Sequence, residues 1–128
     1  MLKIIVTIVT FMIANCAYAD YGMMWNESSY HIVFVKNGHV VGPILRANLG
    51  LPVTYWAPYF SKDCGNQCEI KISTDVTGQN PWTFFEWSAK QGVIGVGGNS
   101  CNNFKPVCGM QNGNGLQFTN NWQPPLQR

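Results

Sequence analysis

Charge is scarce in this chain: its 128 residues carry eight Lys and Arg, six Asp and Glu, and two His. The cations are scattered with no basic block, so the phosphate-neutralising footprint of a nucleic-acid binder is missing. Catalytic groups are equally thin. No serine sits in a G-x-S-x-G context, and the two histidines, His31 and His39, fall on one predicted hairpin, His39 at its tip and His31 far back along the strand. The Gly95–Cys101 run lacks both the lysine of a phosphate-binding loop and a following helix, and Cys101 has no histidine nearby to activate it. A glycosidase needs two carboxylates across a cleft. Here the acids are isolated, and Asp63 and Glu69, which bracket the Cys64–Cys68 segment, are the one pair that could serve a weak hydrolase. The cysteine spacing, C-x3-C and then C-x6-C, departs from the paired C-x2-C of zinc ribbons, so no metal site is expected, and no motif implies a cofactor. These absences favour a non-catalytic protein.

Long apolar runs are also missing. Ile4–Ile13 is an apolar run of ten, roughly 15 Å as a helix against about 30 Å of bilayer hydrocarbon, too short for a permanent transmembrane segment. Lys3 before it and Ala17-Tyr18-Ala19 after it complete the order of a cleavable secretory signal peptide, so residues 1–19 read as a leader and 20–128 as one β-rich domain. Cys16 raises lipoprotein processing as a rival, which Asn15 at the preceding position disfavours. The expected location is secreted or periplasmic. Four cysteines remain after cleavage, Cys64, Cys68, Cys101 and Cys108, an even number that predicts two disulfides with three possible connectivities.

What is abundant is β-type patterning, amides and aromatics. Tyr30–Val35 alternates β-branched and aromatic residues, Asn37-Gly38 supplies a two-residue hairpin tip, and Val40-Val41 begins the return strand, which Pro43 ends or bends. Cys68–Thr74 has period two, with Cys68, Ile70, Ile72 and Thr74 inward and Glu69, Lys71 and Ser73 outward, as in an antiparallel sheet with one wet face. Trp82–Trp87 is rich enough in aromatic and β-branched residues to favour a strand over a helix started by Asn80-Pro81. Val93–Val96 and Leu116–Thr119 read as short late strands, Leu51–Phe60 as an edge strand or ordered aromatic loop, and Gly97–Gly115 as a long loop pinned by cysteines. Six to seven short strands without helical periodicity predict an all-β, disulfide-stapled antiparallel sandwich or small barrel.

Twelve Asn and seven Gln follow Ala19, a polarity suited to hydrogen bonding neutral polyhydroxylated ligands. Five tryptophans exceed what a core of this size usually holds, since each buried indole N–H needs a partner. Trp56 and Tyr59 beside prolines, and Trp25 and Trp122 near the termini, are the expected exposed aromatics. With Asn112 and Asn114 of the Asn-rich loop, Trp56, Tyr59 and Trp122 form the expected ligand-binding set. The reading is a binding module for glycan or cell-envelope surface. Its alternative is a secreted effector, toxin component or inhibitor that uses the same aromatics on a protein partner. Asn26-Glu27-Ser28 also matches the N-glycosylation acceptor pattern.

Overall fold

The structure, a computed structural model, describes residues 21–97 and 107–120. The leader reading and the predicted roles of Cys101 and Trp122 fall outside the described residues. Within them the chain forms nine strands: β1 (Met23–Asn26), β2 (Ile32–Lys36), β3 (His39–Leu45), β4 (Leu49–Pro52), β5 (Cys68–Ser73), β6 (Thr83–Ser88), β7 (Gly92–Gly97), β8 (Val107–Asn112) and β9 (Gly115–Asn120). They make a four-stranded sheet ordered β4-β1-β9-β8 and a five-stranded sheet ordered β3-β2-β5-β6-β7. All pairings are antiparallel except β1 with β9. The fold is the all-β sandwich expected, with two or three more strands.

The β2–β3 hairpin forms where the turn chemistry puts it. Asn37 (φ 54°) and Gly38 (φ 81°) occupy the left-handed tip, and Lys36 faces His39 across it. Further along, Ile32 pairs with Leu45 but Phe34 with Val41, so β3 carries extra residues over Gly42-Pro43-Ile44 and bulges there. Pro43 thus sits in an edge strand, where its missing N–H costs no ladder bond.

The expectation of one wet face holds for only part of β5. Ile70 and Ile72 are buried and Glu69 and Lys71 exposed, but Ser73 is buried too, because the β5–β6 connection folds back over the sheet. Ser73 Oγ donates to Gln79 O at 2.7 Å, and Gly78 lies against the side chains of Val35 and Val40. As a result β2 is buried along its whole length.

Two other readings are corrected. Gly97–Gly115 is not one long loop: Val107–Asn112 is a strand, paired in register with β9 around a Gly113-Asn114 turn. Leu51–Phe60 is neither strand nor loop throughout, since β4 ends at Pro52 and a 3-10 turn (Val53–Tyr55) leads into a short helix α1 (Ala57–Ser61). Pro58 occupies the first turn of that helix, where a missing N–H is harmless.

Phe34 is the hub of the core. Its ring meets Trp56, Phe60, Phe85 and Phe118 at centroid distances of 5.6, 5.3, 5.9 and 6.3 Å, joining β2, α1, β6 and the opposite sheet. Edge-on aromatic pairs of this kind contribute about 0.5–1.5 kcal/mol each beyond the area they bury. Tyr21 packs on Trp87 at 4.9 Å and donates its hydroxyl to Ala89 O, closing one end of the sandwich.

Cys64 and Cys68 form a disulfide, with Cα atoms 5.2 Å apart, and Cys108 is disulfide-bonded as well. Of the three connectivities only the local one contains the Cys64–Cys68 bond. A loop this short constrains the unfolded chain modestly, so replacing Cys64 and Cys68 together by serine is expected to cost about 2 kcal/mol. Urea unfolding should show this as a lower midpoint. No helix among the described residues is long and apolar enough to cross a membrane.

Candidate functional site

The outward face of the four-stranded sheet carries a row of side chains set by strand register. Gly50 of β4 lies opposite Trp25 of β1, Trp25 opposite Gln117 of β9, and Gln117 opposite Met110 of β8. At about 4.8 Å between neighbouring strands the row extends roughly 14 Å. Trp25 lies directly over Gly50, so that a Cβ on Gly50 would overlap the six-membered part of the indole. One ring face is therefore seated on backbone, while the residue stays 42% exposed. Met110, 49% exposed, ends the row.

Polar groups are laid beside this platform. Gln117 Nε2 donates to Glu27 Oε1 at 2.8 Å, and Asn112 Nδ2 donates to Gln117 Oε1 at 3.4 Å. This chain of side-chain bonds orients a carboxylate and two amides on the side of Trp25 away from β4, over which its ring lies. Trp25, Asn26, Glu27, Asn48, Leu49 and Gly50 line an open groove of about 470 Å³.

Asn26 fixes the strand that presents these groups. It is buried, and its Nδ2 donates to the carbonyls of Tyr30 (2.7 Å), Leu45 (3.1 Å) and Arg46 (3.2 Å). Its Oδ1 accepts from Ser28 N–H at 3.0 Å and Ser28 Oγ at 2.6 Å. Every polar atom of the side chain is used, and β1 of one sheet is tied to the end of β3 in the other. The amide nitrogen of the acceptor triplet is thus committed inside the folded protein.

The predicted ligand set does not assemble as expected. Trp56 is fully buried rather than exposed in a loop. Its indole N–H donates to Pro43 O at 2.8 Å, and the bulge at Gly42 (φ 73°) makes room for the ring, since a Cβ there would stand 2.5 Å from Cδ1. Tyr59 is exposed on α1 and lines a different groove with His39, Lys62 and Asp63. Asn112 belongs to the Trp25 face, whereas the backbone carbonyl of Asn114 accepts the N–H of Val93 at 3.2 Å at the sandwich edge. Gln111 Nε2 reaches the carbonyl of the same Val93 at 2.8 Å, covering part of an otherwise open edge strand.

Asp63 and Glu69 do line one groove, of about 540 Å³, together with Lys36 and Lys71. Lys36 Nζ donates to the carbonyls of Phe60 (2.9 Å) and Lys62 at the end of α1. Burial pushes its ammonium pKa below the usual lysine value, the Asp63 carboxylate pulls it back up, and Lys62 lowers it again. Asp63 therefore has a charge-balancing part in the structure. The histidines are separate, as expected: His31 Nδ1 accepts from Ala47 N–H at 3.1 Å, while His39 is exposed at the hairpin tip. No cluster of three or more His, Cys, Asp or Glu suited to a metal ion occurs among the described residues.

Sequence reasoning missed the role of Trp25 as a sheet platform. The available signal was the alternation over Met23–Glu27, with Met24 and Asn26 inward and Trp25 and Glu27 outward. The inward polar Asn26 hid that period. No protein-family model, curated protein or solved structure matches the chain.

Proposed function

We propose that this protein is an exported, non-catalytic binding module that recognises glycan, at a cell envelope or a similar polysaccharide surface, through the outward face of its four-stranded sheet. One observation carries the reading: the Trp25 ring, seated on Gly50 and partly exposed, shares a groove with Glu27, whose carboxylate is held by Gln117 in a hydrogen-bonded chain that continues to Asn112. An aromatic face can stack on the C–H face of a sugar while the amides and carboxylate bind its hydroxyls. The leader pattern in residues 1–19 and the disulfides support a location outside the cytoplasm, secreted or periplasmic.

Glycan arrays and intact cell envelopes provide the test. Trp25→Ala is expected to weaken binding at least about tenfold, roughly 1.4 kcal/mol. Because the ring is half-exposed, folding stability should change by no more than about 1 kcal/mol. Full binding by that variant would remove the proposed site. A second reading, a protein partner, rests on Tyr55 and Tyr59, both more than half exposed around α1. Stoichiometric capture of one protein that Tyr59→Ala abolishes and Trp25→Ala leaves intact would favour it.

A further inference from the structure

The glycan reading leaves the class of sugar open, and the chemistry of the Trp25 groove narrows it. Glu27 is the one ionisable side chain among the residues that line it, the others being Trp25, Asn26, Asn48, Leu49 and Gly50. Its carboxylate is held in place, with Oε1 accepting from Gln117 Nε2 at 2.8 Å. That bond occupies one of about four lone-pair sites, so the carboxylate retains acceptor capacity toward a ligand. Glu27 lies two residues beyond Trp25, just past the end of β1, where its N–H still donates to Phe118 O at 2.8 Å and its side chain meets Gln117, the residue opposite Trp25. An open indole face beside a fixed carboxylate is an environment that attracts an ammonium group, through the ring quadrupole and the opposite charge together.

Resting on the glycan reading above, we infer that the groove selects sugars bearing a free, protonated amine, such as oligomers of glucosamine. An N-acetylated sugar loses the charge that Glu27 attracts. A uronic acid or sulfated sugar brings a second negative charge to a groove with no lining cation, and is repelled. The roughly 14 Å row from Gly50 to Met110 suits an extended oligomer better than a single ring.

Titration calorimetry of the purified protein with glucosamine oligomers, their N-acetylated counterparts, glucose oligomers and uronate oligomers tests this. The free-amine oligomer should bind on the order of tenfold tighter than the acetylated one, with the advantage lost above the amine's own pKa. Glu27→Gln keeps a hydrogen-bonding partner for Gln117 and should abolish the amine preference, bringing the free-amine and acetylated oligomers to equal affinity. Its thermal melt should match the parent protein. Equal affinity for amine and acetylated oligomers, or an amine preference that persists in Glu27→Gln, overturns this inference and leaves glycan binding standing. Absence of binding to every oligomer overturns both. Trp25-dependent binding of a lysine-rich peptide, with no affinity for amino sugars, overturns the inference in favour of a peptide ligand.

Discussion

Replacing Asn26 by aspartate is expected to cost more than about 3 kcal/mol of folding stability. The exchange swaps an NH2 group for an oxygen at a buried position surrounded by the carbonyls of Tyr30, Leu45 and Arg46. Two or more donor bonds vanish, and a carboxylate is left facing acceptors. The folded state favours the protonated acid, so its pKa is raised over the unfolded value. The deficit should therefore be smallest and level below about pH 4, the unfolded carboxyl value, and grow as pH rises above it until the raised folded-state pKa is passed. Thermal unfolding across that range checks the prediction. Asn26→Ala removes the same bonds without adding charge and should cost less, about 1–3 kcal/mol, with little dependence on pH. A deficit in Asn26→Asp that does not depend on pH would show that the three carbonyls do not face the side chain.

Trp56→Ala should destabilise by about 3–5 kcal/mol, because it empties a fully buried indole site between the β3 bulge and Phe34. It also leaves Pro43 O without its donor. Trp56→Phe should recover most of the packing and forfeit the hydrogen bond, for a net loss of about 1–2 kcal/mol. Trp25→Ala is the contrasting case, with a small change in stability and a large one in binding. Denaturant unfolding alongside glycan binding separates the two tryptophans. A Trp56→Ala protein as stable as the parent would contradict the burial described. Loss of binding in that variant, taken alone, would report unfolding rather than ligand contact.

The contrast between these tryptophans shows what a single sequence could convey. Trp56 sits between prolines, which resembles an exposed loop when read in order. Its burial depends on a carbonyl and a glycine thirteen and fourteen residues earlier, brought near by the β3 bulge. Trp25 becomes a platform because its strand pairs with β4 on one side and, in parallel, with β9 some ninety residues away on the other. Neither pairing leaves a local trace. β1 and β4 have four residues each, and β8 lies in a Gly- and Asn-rich stretch whose composition reads as turn.

The sequence by itself determined the all-β class, the Asn37-Gly38 hairpin, β5 and β6, because period-two alternation and left-handed turn residues act over a few neighbours. It also determined that catalytic groups are few and that the cysteines pair. Only the tertiary structure decided which disulfide forms, which tryptophan is covered and which lies open, and that Asn26 is a buried tie between sheets rather than a surface amide. Those outcomes depend on strand register between segments far apart in the chain. A residue's exposure is set by what folds over it, as the β5–β6 connection over Ser73 shows, and that neighbour is absent from its local sequence.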